Sequence, residues 1–70
     1  MNITLNGQAF DLPNGATVAE LVKMRQASGH LATPAYAVER NKEVVFRKLH
    51  DATPLAPGDK VEIVVMVGGG

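Results

Sequence analysis

Val61-Glu62-Ile63-Val64-Val65-Met66-Val67-Gly68-Gly69-Gly70 closes the sequence, and the reading of this stretch decides the fold. β-Branched residues fit a pleated, half-buried surface, so the run to Val67 predicts a strand. Glycine loses more conformational freedom on ordering than any other residue, so Gly68–Gly70 predict a tail without fixed structure. A rigid strand would then carry a thin segment, bare of side chains and tipped by a carboxylate. Such a tail can enter a channel where any Cβ would clash. The plainer reading is a frayed terminus without function, since chain ends are commonly disordered. The strand is apolar on both faces, with Val61, Ile63, Val65 and Val67 on one and Glu62, Val64 and Met66 on the other. That pattern suits the centre of a sheet. If a helix covers the first set, Val64 and Met66, with Val67 at the root of the tail, form a candidate docking surface. The alternative is that a loop covers them.

The rest of the chain limits what such a strand can belong to. Seventy residues make one domain, expected over 1–67 with 68–70 as the tail. Without cysteine there is no disulfide framework, no thiolate zinc site and no thiol nucleophile. The formal net charge is zero and the basic residues are scattered, so no basic stripe for nucleic acid is expected. The apolar run is too short to cross a bilayer, and no basic region followed by an apolar stretch opens the chain. The expectation is a soluble, cytoplasmic protein.

Taken in order, Asn2 to Leu12 predicts a hairpin. Ile3 and Leu5 alternate with polar residues, Asn6-Gly7 supplies a type I′ turn, and Gln8–Leu12 returns with Phe10 and Leu12 on one face. Thr17 and Glu20 are spaced as a capping box for a helix from Val18 to Ser28, with Leu21 and Val22 toward the sheet and Gly29 at the left-handed C′ position. Met24 and the stem of Arg25 also follow the helical spacing of Val18, Leu21 and Val22, while Lys23 and Arg25 read most simply as a solvated face. A third strand is expected over Ala35–Glu39, a turn centred on Asn41, and a fourth strand over Val44–Phe46. Arg47–Ala52 is ambiguous, with Leu49 able to anchor one helical turn to the core. Pro57-Gly58-Asp59 tightens entry into the last strand. The order β-β-α-β-β-β predicts an α+β mixed sheet of about five strands packed on one helix, with the first and last strands parallel at its centre.

At this point the sequence resembles the ubiquitin-like sulfur carriers, and within them the ThiS family of thiamine biosynthesis. The likeness rests on Ile3-Thr4-Leu5-Asn6-Gly7-Gln8, on Val38-Glu39-Arg40-Asn41-Lys42-Glu43-Val44-Val45, and on Pro57-Gly58-Asp59-Lys60-Val61-Glu62-Ile63-Val64 leading into Val67-Gly68-Gly69-Gly70. Many relatives end in two glycines; this chain ends in three. The Pro-Pro step often seen before the glycines of the related molybdopterin-synthase small subunit is absent here. The resemblance implies a β-grasp fold and a carrier that is not itself an enzyme. It implies that a ThiF-like enzyme adenylates Gly70 with ATP, with Gly68 and Gly69 threading the tail into the site. A persulfide donor, a cysteine desulfurase or rhodanese-like protein, would then make the thiocarboxylate. A ThiG-like thiazole synthase would spend it on the thiazole ring of thiamine. A carrier of another pathway and a ubiquitin-like binding or modifier domain are the other readings.

No self-contained active site is expected. His30 and His50 lack any closely spaced ligand partner and read as surface or loop residues, so no metal site is expected. No bound cofactor is expected either, the only glycine run being terminal. Asp59 reads as a local hydrogen-bonding turn residue rather than half of an acid/base pair with Asp51. Arg40, Arg47 and Lys48 read as a solvated rim, or alternatively as a basic patch for a partner. Tyr36 and Phe46 read as core.

Overall fold

The computed structural model describes residues 1–67. It contains β1 (Asn2–Leu5), β2 (Gln8–Asp11), α1 (Val18–Ala27), β3 (Tyr36–Arg40), β4 (Glu43–Val45), a 3-10 turn (Arg47–Leu49) and β5 (Lys60–Val65). The strands form one sheet in the order β2-β1-β5-β3-β4. β5 runs parallel to β1 through Thr4↔Lys60 and Leu5↔Val61, and antiparallel to β3 from Arg40↔Val61 to Tyr36↔Val65. The mixed five-strand sheet on a single helix is thus the expected architecture, with the first and last strands parallel at its centre.

Each connection has a local cause. Asn6 and Gly7 both take positive φ, as a type I′ hairpin turn requires. The capping box forms: the Thr17 hydroxyl accepts from the Glu20 N–H while the Glu20 carboxylate accepts from the Thr17 N–H. α1 ends at a Ser28 cap, and Gly29 at φ 81° lets the His30 N–H reach the Arg25 carbonyl and the Gly29 N–H the Gln26 carbonyl. This pair of bonds is a Schellman motif, and it satisfies carbonyls that the helix end would otherwise orphan. Asp59 holds its turn as expected, its carboxylate accepting from the Ala56 N–H at 2.9 Å and from Asn41 Nδ2 at 3.1 Å.

The core lies between α1 and one face of the sheet. Val18, Leu21 and Val22 of the helix pack with Ile3, Leu5, Val38, Tyr36 and Val61, and Leu12, Leu31 and Leu55 close the ends. Tyr36 is therefore core, as expected. Arg25 departs from the solvated-face reading: its guanidinium sits 5.4 Å from the Phe10 ring centroid and covers that half-buried ring.

The segment after β4 corrects three expectations. A helical turn is present, but Leu49 is exposed and His50 is the residue that enters the core, at 6% exposure. The cause is the start of α1, whose first N–H groups need acceptors. The Thr53 and His50 carbonyls receive the Val18 and Ala19 N–H groups at 2.9 and 3.1 Å, which draws His50 inward. Its Nε2 lies 3.0 Å from the Val45 carbonyl, which meets the cost of burying the ring. Phe46 is not core either: it is 64% exposed, because the chain turns away from the sheet immediately after it.

Two consequences can be measured. His50→Ala should destabilise the fold by about 2–3 kcal/mol through a cavity and an unpaired carbonyl, whereas His30→Ala should change it by less than about 0.5 kcal/mol; urea unfolding separates them. Asn41 and Lys42 both have positive φ (52° and 70°) in the loop joining β3 to β4. A left-handed lysine carries strain that glycine does not, so Lys42→Gly should stabilise the protein by about 0.5–1 kcal/mol. Thermal unfolding would register that as an upward shift of several degrees.

Candidate functional site

The candidate site is the distal end of β5, where the strand outruns its cover. Val61 is fully buried and Ile63 partly, but Val64, Val65 and Met66 are exposed, and Val67 reaches 90% exposure. Val65 lies on the helix-facing side, paired with Tyr36, yet it is half exposed, in a shallow cleft lined by Arg25 of α1, Leu31 and Ile63. The expected division into one covered and one open face therefore fails at this end: both faces of the strand are open. Val64, Met66 and Val67, named as docking residues, are all exposed. Gly68, Gly69 and Gly70 lie outside the described residues.

On the side of the sheet away from α1, the register assembles an apolar surface around that strand end. Val64 pairs with Ala37, and Glu39 pairs with Val44 across the same strand. Continuing the β3–β4 register by one residue sets Phe46 beside Ala37, in a row with Val64. Val44, Phe46, Val64 and Met66 are each exposed large hydrophobics on this side. Directly below the row, Glu39 and Glu62 are cross-strand partners. Like charges placed opposite one another disfavour the sheet, so this pair has a cost that a cationic partner group would relieve. Phe46 and Val44 were missed as surface candidates. The register could have revealed them: once Val45 is set opposite core Val38, its two neighbours must point outward.

Strand pairing holds the root of the tail to within one residue of Val67. The Met66 N–H donates to the Ala35 carbonyl at 2.9 Å, one step past the end of β5. On the other edge, where β1 has already stopped, the Asn6 side chain accepts from the Ile63 N–H at 2.9 Å. Of the basic residues read as a solvated rim, Arg40 donates to the Pro54 carbonyl and Arg47 to the Pro34 and Tyr36 carbonyls. Two of the three are therefore tethers. His30, by contrast, is exposed as expected, 2.7 Å from the Ser28 hydroxyl. Among the described residues, no group of three or more His, Asp or Glu side chains is placed to hold a metal ion, and no helix is long and apolar enough to cross a membrane.

Comparison with known proteins places this geometry. The family model described as the ThiS family matches residues 3–70. This chain belongs to the ThiS family. A crystal structure of the thiamine biosynthesis protein ThiS from Geobacter metallireducens superposes with a TM-score of 0.79 at 34% identity, covering 100% of both chains. A solution structure of a thiamine biosynthesis protein from the same organism gives a TM-score of 0.70 at 36% identity, over 100% of this chain and 88% of that one. These likenesses establish the ubiquitin-like β-grasp fold of the ThiS proteins. Among curated proteins, the thiazole synthase of Magnetococcus marinus is 39% identical over 70 residues, covering 100% of this chain. The chain spans only a fifth of that relative's length.

The exposed surface and the core can be told apart by stability. Phe46→Ser removes an apolar group that contributes little to the core, so it should leave the unfolding midpoint within a few degrees of the parent. Val61→Ser, in the same sheet but fully buried, should cost roughly 2–4 kcal/mol. Denaturant titration of the two variants side by side checks the assignment of the two surfaces.

Proposed function

We propose that this ThiS-family chain is the sulfur carrier for the thiazole ring of thiamine, working through a thiocarboxylate on Gly70. The observation that carries the reading is the family match, which runs through the terminal glycines while the strand before them stands exposed at the sheet's end.

The chemistry follows from what a carboxylate lacks. It is a poor electrophile, because attack must expel oxide. A ThiF-like enzyme using Mg-ATP would let the Gly70 carboxylate oxygen attack the α-phosphorus, releasing pyrophosphate and leaving an acyl adenylate. The partner's cationic groups and metal would stabilise the phosphate charge. A persulfide sulfur from a cysteine desulfurase or rhodanese-like donor would then attack the carbonyl and expel AMP. Cleavage of the resulting acyl disulfide by a thiol would leave the thiocarboxylate, a soft anion and a good nucleophile. In this reading the chain is substrate and carrier, it binds no cofactor itself, and the ATP belongs to its partner. It would act in the cytoplasm.

A ThiG-like thiazole synthase is the proposed consumer. The curated thiazole synthase that contains a segment 39% identical to this whole chain supports that pairing. Partner docking is assigned to Val64, Met66 and Val67, joined by Val44 and Phe46, with Glu39 and Glu62 matched to a basic group on the partner. Gly68 and Gly69 would pass through a channel too narrow for side chains.

Incubation with ATP, a sulfide source and a ThiF-like enzyme should give an intact-mass gain equal to sulfur replacing oxygen. Deleting Gly70 should abolish it. Gly69→Val should keep the fold and slow activation sharply; an unchanged adenylation rate in that variant counts against threading. Met66→Asp should raise the KM for the carrier at least about tenfold, ~1.4 kcal/mol, with little change in thermal stability. No mass gain, with a known carrier modified in parallel, would leave a ubiquitin-like binding domain.

A further inference from the structure

β4 ends at Val45, and the chain then leaves the sheet through the 3-10 turn that begins at Arg47. The first residues of β3 and the loop before it therefore have no strand beside them on that edge. Arg47 occupies the gap. Its Nη2 donates to the Pro34 carbonyl at 2.9 Å and to the Tyr36 carbonyl at 2.8 Å. Those carbonyls are two residues apart, so they point to the same edge, as successive acceptors in a ladder do. The guanidinium also lies over the Tyr36 ring, 4.1 Å from its centroid. One side chain thus supplies the donors that a longer β4 would have supplied, and a cation–π contact besides.

The residue between those acceptors is Ala35, whose carbonyl points to the opposite edge. It accepts the Met66 N–H, the last backbone bond to the tail root among the described residues. Tyr36 itself pairs with Val65. The three-residue segment Pro34-Ala35-Tyr36 is therefore fastened by Arg47 on one edge and holds the end of β5 on the other. Its remaining local tie is the Ala35 N–H to the Thr33 hydroxyl at 3.1 Å.

We propose that Arg47 is the positioning residue for the C-terminal tail: by clamping Pro34 and Tyr36 it fixes the point and direction at which the chain leaves the sheet. The proposal rests on the carrier reading for its functional half and on geometry alone for its structural half. Arg47 touches no reacting atom. It acts through Ala35 and Tyr36 on Val65 and Met66. Without it the strand end would fray part of the time, and a partner would bind only the ordered fraction, lowering apparent affinity by that fraction.

Two variants separate charge and hydrogen bonding from bulk. Arg47→Met keeps an apolar stem over Tyr36 but has no donors; Arg47→Lys keeps a cation that can still bridge the two carbonyls. Amide hydrogen exchange followed by NMR is read at Met66, with Val61 in the buried part of the same strand as the control for global unfolding. Arg47→Met should accelerate exchange at Met66 at least about tenfold (~1.4 kcal/mol) relative to Val61, and Arg47→Lys should recover most of the protection. With a ThiF-like enzyme and ATP, Arg47→Met should raise the KM for the carrier severalfold at nearly constant kcat. Equal acceleration at Met66 and Val61, or none at either, overturns the clamp. Selective acceleration with an unchanged KM overturns the positioning role. If the parent protein accepts no sulfur at all, the carrier reading fails, and the functional half of the proposal with it; the exchange data still decide the clamp.

Discussion

Everything in this molecule hangs on β5 having partners on both edges. A strand in the middle of a sheet must satisfy its N–H and C=O groups to left and right, because orphaned buried backbone groups are costly. β1 supplies one edge and β3 the other, in registers that place Ile3 and Leu5 of β1, Tyr36 and Val38 of β3, and Val61 of β5 together in the core with α1. Register follows from the same requirement. A slip of one residue in β5 would turn buried Val61 outward and Glu62 inward, so the burial of Val61 against Ile3 and Leu21 locks the pairing.

The flanking strands are shorter than β5 needs, and polar side chains complete the ladders. β1 stops at Leu5, and the Asn6 amide takes the Ile63 N–H. At the other end of β5, Asn41 brackets Lys60: its backbone N–H donates to the Lys60 carbonyl at 2.7 Å and its side-chain oxygen accepts the Lys60 N–H at 2.9 Å. β4 covers only three residues of β3, and Arg47 reaches two of the remaining carbonyls. A seventy-residue chain cannot build long strands everywhere and still make a helix and its connections. Substituting one amide or guanidinium for a further strand turn meets the backbone's needs with less chain.

How much of this the sequence disclosed depends on the range of the interaction concerned. Local chemistry was legible. Asn6-Gly7, the Thr17–Glu20 box, Gly29 and the Asp59 turn each form as their spacing predicts, because each is settled within a few residues. The central place of β5 was legible from its apolar residues on both faces. Residues whose fate is set across the sheet were not. Phe46 looks like core by hydrophobicity, and only the register of β4 against β3 shows that it faces outward. His50 looks like a surface residue, and only the unfilled N–H groups at the start of α1 explain why its segment is pulled in. Arg47 looks like a solvated cation because nothing nearby in sequence reveals the two carbonyls it serves. The root of the candidate site was legible as exposed apolar residues; its extension to Val44 and Phe46 required the fold.

A small domain with exposed Val64, Val65, Met66 and Val67 risks association through that strand, and the rest of the sheet is arranged against it. One outer strand, β4, has only three residues and begins with Glu43; the other, β2, carries Gln8 and Asp11 at its two ends. Short, charged outer strands resist edge-to-edge pairing. Across the open face, the opposed carboxylates of Glu39 and Glu62 break the apolar row before it can spread down β5. The hydrophobic surface is thereby confined to the end from which the tail departs. A covering loop or a longer α1 would close that end. α1 ends in the Schellman motif at Gly29, and Arg25 of its last turn, with His30 and Leu31 beyond it, lines a shallow cleft with Ile63 and Val65 that leaves Val65 half exposed.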